Sequence, residues 1–243
     1  MTLLLMAGTA EARALARHLA AQGVDTIASL AGVTQAPLSY PLPLRSGGFG
    51  GAKAQARFMI DTAITAVIDA THPFAQQISS RTYQICTELG LPYLRLMRPA
   101  WQAGDGDDWR DIATPSQAAK IIPTGARVLL ATGAKSVGDW AELAAGRILF
   151  CRRVDETAEG FPYDGDWIVG RPPFSFEEER ALLAERQIDW IVTKNAGGVA
   201  DAKLLAARAL GLPVAMLSRP EPQACDHVET PEEALEWLAR QSL

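Results

Sequence analysis

The length and composition of the chain indicate an ordinary globular protein. It has 243 residues, of which 48% are hydrophobic and 21% charged, and a net charge of −5. This length permits one large domain or two small ones, and the charge argues against a nucleic-acid-binding protein. Three cysteines and three histidines are scattered along the chain, which predicts neither a disulfide framework nor a metal site. Because no long apolar run or basic leader occurs, we expect a soluble, cytoplasmic protein without a membrane span.

The first segment has the pattern with which a Rossmann-like domain begins. An apolar run at Leu3–Met6 predicts a buried strand, and a helix is predicted at Ala10–Ala21 with Thr9 as its N-cap. Asp25–Leu30 predicts the next strand. The turn at Gly8 lacks the full G-x-G-x-x-G motif and is a weak signal by itself, although a helix N-terminus there would bind a phosphate.

The end of the second predicted strand carries no acidic residue. NAD-specific sites usually place Asp or Glu there, where it binds the ribose 2′-hydroxyl. Ser29, Thr34 and Arg45 stand in this region instead and could receive a 2′-phosphate. The pattern favours NADPH over NADH; the alternative is that no dinucleotide binds at all.

A glycine-rich loop follows a proline-rich segment. Tyr40–Arg45 contains too much proline for a central strand. Ser46–Gly51 then places four glycines around a phenylalanine, so its backbone could approach a ligand closely. The alternative is a flexible connector before the helix predicted at Ala52–Thr62.

A polar cluster follows the strand predicted at Ala66–Ala70. Asp69, Thr71 and His72 stand where this strand ends, and Pro73 is expected to open the next helix. Open α/β sheets bind their ligands beyond the carboxyl ends of the strands. The cluster is therefore a candidate site, and the alternative is a helix cap with a turn.

The strand and helix pattern stops in the acidic, aperiodic segment Trp101–Asp111 and then restarts. This segment is the predicted boundary between an N-terminal domain at 1–100 and a C-terminal domain at 112–243. The remaining strands are predicted at Tyr93–Leu96, Arg127–Ala131, Arg147–Cys151, Trp167–Val169, Trp190–Thr193 and Pro213–Leu217. The remaining helices are predicted at Phe74–Leu89, Ser136–Ala145, Glu177–Gln187, Asp201–Leu210 and Pro231–Arg240, the last with Thr230 as N-cap.

The two halves of the chain repeat the same landmarks. Leu89–Pro92 recurs 121 residues later as Leu210–Pro213, and Arg98-Pro99 recurs at the same displacement as Arg219-Pro220. Because these segments recur in the same order, they predict two similar Rossmann-like α/β domains with parallel sheets. We expect these domains to face one another, with the active site in the cleft between them.

The repeat places Lys194–Gly198 at the strand end that corresponds to Asp69–Phe74. Lys194 could bind a carboxylate or donate a proton, and Asn195 could orient a ring or an amide. The alternative is a helix-initiating turn with a solvated lysine.

Several motifs together carry a resemblance to a known family. They are G-T-A-E-A-R from Gly8, A-G-V-T from Ala31, R-S-G-G-F-G-G from Arg45, D-A-T-H-P-F-A from Asp69, R-P-A-W from Arg98, G-R-P-P-F from Gly170 and K-N-A-G-G from Lys194. In this order, over essentially the whole chain, they resemble the precorrin-6A reductases of cobalamin biosynthesis. Many members carry Gly where Ala7 or Ala12 stands here, which weakens the argument for a phosphate-binding turn.

The resemblance implies two Rossmann-like domains around a cleft and an NADPH-dependent reduction of precorrin-6A to precorrin-6B. A hydride would pass to a ring carbon of one conjugated double bond and a proton to its neighbour. The substrate would be an anionic tetrapyrrole, and transient contact with neighbouring corrin-pathway enzymes is expected. No nucleic-acid, membrane or metal partner is expected.

The predicted site residues divide by role. The catalytic residues are Lys194, His72 and Asp69, and the proton donor is left open among Lys194, His72 and water. The cofactor-binding residues are Gly8, Thr9, Arg13, Ser29, Gly32, Thr34, Arg45, Gly47, Gly48, Phe49, Gly50 and Thr71. The residues expected to meet the substrate are Lys135, Arg152, Arg153, Arg171, Lys194, Asn195 and Lys203.

Two other functions compete with this one. A short-chain dehydrogenase would need Tyr-x-x-x-Lys, but no tyrosine of this chain has lysine four residues later. A non-catalytic NADP(H)-binding sensor module would bind NADPH without converting a macrocycle.

Overall fold

The computed structural model describes residues 2–32, 39–156 and 158–241. The strands are β1 (Thr2–Met6), β2 (Thr26–Leu30), β3 (Leu44–Ser46), β4 (Ile64–Asp69), β5 (Tyr93–Leu96), β6 (Trp109–Ile112), β7 (Arg127–Ala131), β8 (Ile148–Arg153), β9 (Gly165–Val169), β10 (Trp190–Lys194), β11 (Val214–Leu217) and β12 (Asp226–Val228). The α-helices are α1 (Ala10–Ala21), α2 (Ala52–Asp61), α3 (Gln76–Leu89), α4 (Pro115–Ile121), α5 (Ala141–Ala144), α6 (Phe176–Glu185), α7 (Ala202–Leu210) and α8 (Pro231–Ala239). A 3₁₀ helix at Ala134–Trp140 precedes α5.

The chain forms two compact units. The first unit is Met1–Pro99 together with Pro220–Leu243, and the second is Ala100–Arg219. The predicted C-terminal domain at 112–243 was therefore wrong at its end, because the last segment returns to the first unit. There β12 pairs in parallel with β5, and α8 packs its buried Ala234 and Trp237 into the core of that unit.

The first unit contains one parallel sheet in the order β3-β2-β1-β4-β5-β12. This is the strand order of dinucleotide-binding Rossmann folds, in which the direction of winding reverses between the first and fourth strands. Leu3, Leu4 and Leu5 of β1 are fully buried, as expected for a central parallel strand covered on both faces. The reversal lies between β1 and β4, where Met6 stands beside Asp69.

The second unit contains a second parallel sheet in the order β6-β11-β10-β7-β8-β9. Its winding reverses between β7 and β10, so β7 to β11 occupy the places that β1 to β5 occupy in the first unit. Only the edge strand differs, because β6 comes from the beginning of its unit and β12 from the end of the other. The prediction of two similar Rossmann-like domains with parallel sheets is confirmed.

The repeated Arg-Pro pairs mark the two places where the chain passes between units. Pro99 is the last residue of the first segment, and Pro220 is the first residue after the second unit. Each pair follows the strand that is fifth in its repeat, β5 or β11. A proline cannot donate a backbone hydrogen bond, so it stops a parallel strand from continuing at these points.

Some local elements differ from their predictions. The helix after the polar cluster begins at Gln76 rather than near Pro73, because residues 71–75 form a turn that carries its own hydrogen bonds. The segment predicted as a helix at Ser136–Ala145 is a 3₁₀ helix followed by a single α-helical turn. Strand β6 begins inside the predicted boundary segment and ends one residue beyond it, at Ile112, which is its only buried residue.

Within the described residues, no helix combines the length and the hydropathy needed to cross a membrane.

Candidate functional site

The turn after β1 is joined directly to the end of β4. Thr9 caps α1 as predicted, because its hydroxyl oxygen accepts the Ala12 N–H at 3.1 Å. The same hydroxyl donates to the carbonyl of Ala70 at 2.9 Å. Gly8 has a φ of +152° and open space where a Cβ would stand. Thr9 therefore ties together the two strand ends at which the winding reverses, beside a turn that leaves room for a ligand.

Asp69 is held inside the first unit rather than presented to solvent. Its side chain is 1% exposed and forms an ion pair with Arg95, which is 5% exposed. Its second oxygen accepts the Tyr93 hydroxyl at 2.8 Å, and its first also accepts the Thr71 N–H at 3.0 Å. Burial, and then the Asp69 charge, raise the pKa of Tyr93, so this phenol stays protonated as a donor. These contacts support a positioning role for Asp69 in place of the predicted catalytic one.

Arg95 fixes the turn that carries the predicted polar cluster. Its guanidinium donates to the Thr71 hydroxyl at 2.9 Å and to Ser79 at 2.8 Å. It also reaches the carbonyl oxygens of Thr71 and His72 at 3.4 and 3.3 Å. Thr71, predicted to bind the cofactor, is itself buried within this network.

His72 is half-buried in the same turn. Its Nδ1 accepts the Phe74 N–H at 3.2 Å, and its carbonyl accepts the Ala75 N–H at 2.8 Å. The imidazole lies 5.8 Å from the Phe74 ring, centre to centre. The ring orientation is thus set by backbone groups of its own turn.

Arg45 organises the glycine-rich loop at the end of β3. It donates to the Ser29 hydroxyl at 3.1 Å and to the carbonyls of Gly47 and Gly48 at 2.8 and 3.1 Å. Its guanidinium carbon lies 3.8 Å from the centre of the Phe49 ring, within cation–π range. Partial burial lowers the pKa of this arginine. The structure thus brings four predicted cofactor residues together around Arg45.

The loops after β2 and β3 approach each other closely at Gly32. A Cβ on Gly32 would lie 3.1 Å from the Cα of Gly47 and 3.3 Å from the Ser46 hydroxyl, and its φ is +68°. Any side chain there would push the two loops apart. Gly50 also has a positive φ, whereas Thr34 lies outside the described residues. Arg13 is half-buried on α1, one turn into that helix.

Two helix N-termini of the first unit suit the phosphates and ribose phosphate of a dinucleotide. Helix α2 begins after Gly51 with no side-chain cap and no acidic residue in its first turn. Helix α1 carries Glu11 in its first turn, but Arg98 pairs with that carboxylate at 2.6 Å. Free N–H groups and positive helix ends attract anions. Together with the room at Gly8, these features fit a dinucleotide cofactor.

Lys194 ends β10 at the point where the winding of the second unit reverses. Its ammonium donates to the carbonyl of Thr132, at the end of β7, at 2.8 Å. Burial lowers the pKa of Lys194, an effect that the nearby Asp139 and Cys151 partly offset. The predicted strand-end lysine is therefore a partly desolvated cation, as a carboxylate-binding residue would be.

The side chain of Asn195 makes hydrogen bonds that hold the loop after Lys194 in place. Its amide oxygen accepts the Trp101 N–H at 2.8 Å, and its amide nitrogen donates to the Trp101 carbonyl at 3.0 Å. The Trp101 indole donates to Gly198 at 2.7 Å, and Arg219 donates to the carbonyls of Asn195 and Ala196. These contacts support a structural role for Asn195 rather than the predicted contact with substrate.

The other predicted cations are Lys135, Arg152, Arg153, Arg171 and Lys203. Arg152 and Arg153 are the last two residues of β8, Lys135 and Arg171 follow β7 and β9, and Lys203 lies in the first turn of α7. Arg152 makes two hydrogen bonds to the buried Glu179, and Arg171 pairs with Asp155 at 3.3 Å. Lys203 donates to a carbonyl of its own loop. The carboxyl ends of parallel strands lie at one edge of the sheet, but at least two of these cations already face carboxylates of the chain.

Several residues that build the site were not among those predicted, chiefly Arg95, Tyr93, Ser79 and Trp101. The sequence did contain a signal for the role of Arg95, because an arginine in the short buried strand Tyr93–Leu96 needs a buried polar partner. The sequence contained no such signal for Ser79, since serine is common in helices. Trp101 belongs to a segment without periodicity, so its partner could not be inferred.

The chain is similar to named proteins over nearly its full length. The family model "Precorrin-6x reductase CbiJ/CobK" matches residues 2–239. The precorrin-6A reductase of Rhodobacter capsulatus is 39% identical over 240 residues, which cover 98% of this chain and 95% of that protein. The precorrin-6A reductase of Rhodococcus erythropolis is 40% identical over 240 residues, which cover 97% of this chain and 96% of that protein.

A cobalt-precorrin-6A reductase of Synechocystis is 32% identical and covers 90% of this chain and 89% of that protein. A solved structure titled "CobK precorrin-6A reductase" superposes with a TM-score of 0.94 at 38% identity and covers 100% of this chain and 97% of that chain. With these matches across both units, the chain belongs to the precorrin-6x reductase CbiJ/CobK family.

Proposed function

We propose that the chain reduces one double bond of the precorrin-6A macrocycle to give precorrin-6B, with NADPH as the hydride source. Two findings together support this proposal. The chain is similar to precorrin-6A reductases over nearly its full length, and its sheets have the Rossmann strand order. The strand order supports a dinucleotide at the reversal between β1 and β4.

The choice of NADPH over NADH is supported by the residues around the end of β2. No acidic side chain stands in that strand or directly after it, where NAD-specific sites bind the ribose 2′-hydroxyl. Arg45 reaches Ser29 across this region and carries a charge that suits a phosphate. We propose that these two side chains receive the 2′-phosphate.

When bound, NADPH supplies a hydride to a ring carbon, and a proton completes the reduction at the neighbouring atom. The chain contributes position: Thr9 fixes the turn at Gly8, and the Asp69–Arg95 pair fixes the turn at Thr71 and His72. Both turns lie at the reversal point, where we propose that the nicotinamide binds. Holding the two reactants in the correct geometry is the larger part of such catalysis.

The relatives' names support a metal-free substrate. The relatives at 39–40% identity are named precorrin-6A reductases, whereas those at 29–32% are named cobalt-precorrin-6A reductases. We propose that this chain acts on the metal-free macrocycle.

Lys194 is the proposed contact for a substrate carboxylate in the second unit, with Lys135 beside the neighbouring strand end. Lys135 is exposed two residues after Gly133, and Lys194 donates to the carbonyl of the neighbouring Thr132. A precorrin carries many acetate and propionate groups, so lysines at the carboxyl edge of this sheet suit it.

The test is a turnover assay with the purified chain, NADPH and precorrin-6A. The absorbance of the cofactor and that of the macrocycle are followed together, with NADH in a parallel reaction. We expect both absorbances to change in equal molar amounts, and faster with NADPH. Binding of NADPH without conversion of the macrocycle would support the sensor-module alternative and overturn the reductase.

A further inference from the structure

We propose that Glu179 determines which of the two repeats takes the dinucleotide. Its carboxylate occupies, in the second unit, the place that the 2′-phosphate of NADPH takes in the first. The chain therefore binds one NADPH, in the first unit, although both sheets have the Rossmann strand order. This inference rests on the proposed function, because it explains the choice of unit for the same cofactor.

The strand registers identify Arg152 as the counterpart of Ser29. On β2, Ser29 lies beside Met6, which is the last residue of β1. In the second unit Leu130 of β7 pairs with Cys151 of β8. Continued by one residue, this register puts Arg152 beside the last residue of β7. Serine and arginine thus stand at the same place in the two repeats, each beside the end of the central strand.

Both units place one guanidinium on this strand and the strand next to it. In the first unit Arg45 of β3 is the neighbour of the β2 serine. In the second unit the arginine is on β8, and its neighbour on β9 is Ile168. Each guanidinium carbon lies over a phenylalanine from the loop after the third strand, at 3.8 Å from the Phe49 ring centre for Arg45 and at 4.2 Å from the Phe174 ring centre for Arg152. The repeats therefore share an arginine stacked on phenylalanine at corresponding positions.

The two arginines differ in the groups that they face. Arg45 donates to one hydroxyl and two carbonyl oxygens, which are uncharged. Both terminal nitrogens of Arg152 donate to the carboxylate of Glu179, one of them at 2.7 Å. The side chains of this pair are only 15% and 4% exposed. A guanidinium binds carboxylate and phosphate oxygens through the same N–H groups, so Glu179 takes the contacts that a phosphate would use.

The helices that follow these two loops carry different charges at corresponding positions. Helices α2 and α6 each have ten residues, and the fourth is Gln55 in α2 but Glu179 in α6. Helix α2 begins without a side-chain cap or an acidic residue in its first turn. Helix α6 begins with a capping box between Ser175 and Glu178, and its first turn has three glutamates. The start of α6 therefore repels an anion, whereas the start of α2 attracts one.

The first turn of the second unit also differs from that of the first. Gly8 precedes the twelve-residue α1, whereas Gly133 precedes the 3₁₀ helix at Ala134–Trp140. Ser136 donates to the carbonyls of Thr132 and Gly133 at 3.0 and 2.9 Å within this turn. A short 3₁₀ helix does not supply the dipole of a long α-helix to a pyrophosphate. Since this second difference disfavours the whole dinucleotide, the role of Glu179 is best tested with a phosphate alone.

The first test counts the cofactor molecules that the parent chain binds. Calorimetric titration of the full-length chain with NADPH should give one site per chain. Two NADPH per chain would overturn the inference. An active chain with two sites would refute this inference alone, whereas a chain that binds one NADPH without turnover would refute the proposed reduction alone.

The second test removes the carboxylate and measures binding of inorganic phosphate by calorimetry. All variants carry R45M, which removes the proposed site in the first unit. We expect R45M/E179Q to bind phosphate at least about tenfold more tightly than R45M, because the Arg152 charge becomes available to the anion. The matched control is R45M/E177Q, which removes an exposed glutamate from the same helical turn and should behave as R45M does. Adding R152M to R45M/E179Q should abolish the gain.

A purely structural role for the buried pair predicts a different result. It would lower the stability of R45M/E179Q without creating a phosphate site. A folded R45M/E179Q chain, checked by circular dichroism, that binds phosphate no better than R45M would therefore overturn the proposal. A gain that persists after R152M is added would overturn it as well. If E179Q prevents folding, E179A in the same background is the second variant, and the NADPH count in the parent chain still decides between one site and two.

Discussion

Arg95 and Asp69 form an ion pair in the interior of the first unit, and the two side chains are 5% and 1% exposed. The pair links β4 to β5 and carries the turn that bears Thr71 and His72. A buried charge that loses its partner is far more costly than an exposed one. The pair thus connects the stability of the first unit to the geometry of its candidate site.

We expect D69N to lower the free energy of unfolding of the first unit by about 3–5 kcal/mol, because it leaves Arg95 buried without its counter-charge. Chemical denaturation followed by intrinsic fluorescence measures the change. The matched control is D61N, which breaks the exposed Arg57–Asp61 pair on α2, with side chains 78% and 56% exposed. This control should cost less than about 1 kcal/mol. Equal costs for the two variants would show that the buried pair has no special role.

Gly165 is required by the close approach of two strands. A Cβ at this residue would lie 1.8 Å from the carbonyl oxygen of Leu149, and the φ is +134°. G165A should therefore destabilise the second unit by about 3 kcal/mol or more, measured by thermal or chemical unfolding. The control is G138A in the same unit, where nothing lies within 4 Å of the new methyl group. A G165A variant as stable as G138A would contradict the described pairing of β8 with β9.

Arg45 should decide the preference between the two cofactors. R45M removes the charge proposed to face the 2′-phosphate, so the dissociation constant for NADPH should rise about tenfold or more. The constant for NADH, which lacks that phosphate, should change much less. R57M, on the exposed face of α2, is the control and should leave both constants unchanged. If R45M weakened both cofactors equally, Arg45 would only be supporting its loop.

Asn195 and Lys194 are neighbours, but their contacts predict different defects. N195A removes both hydrogen bonds to Trp101 and should lower the free energy of unfolding of the second unit by about 1–3 kcal/mol. K194A should instead raise the KM for precorrin-6A far more than the KM for NADPH. Steady-state kinetics and chemical denaturation of both variants separate the two roles. Loss of affinity for both substrates in K194A would refute the proposed carboxylate contact.

The fold was largely predictable because the sequence patterns that specify its strands and helices are local. The apolar strands at Leu3–Met6 and Arg127–Ala131, and the capped helix at Ala10–Ala21, carry their signals within a few residues. The Arg-Pro repeats located the equivalent strand ends. What could not be predicted was β12, since its three residues include only one apolar side chain and depend on pairing with β5.

The candidate site was predictable in position but not in its contacts. Its position follows from strand ends, which the sequence pattern locates well. The contacts depend on side chains distant in the chain, such as Arg95 with Asp69, or Trp101 with Asn195. These pairings give Asp69 and Asn195 partners within the fold, as buried polar groups require. The catalytic role predicted for Asp69 and the substrate contact predicted for Asn195 stay predictions.

Transfer of deuterium tests the central claim most directly. The purified chain is given precorrin-6A and NADPH that carries deuterium at the transferable position of the nicotinamide, and the macrocycle is analysed by mass spectrometry. If the chain delivers hydride from NADPH, the product gains one deuterium at a ring carbon and one hydrogen from solvent. A reduced macrocycle without deuterium, or no reduction while NADPH remains bound, would contradict the claim.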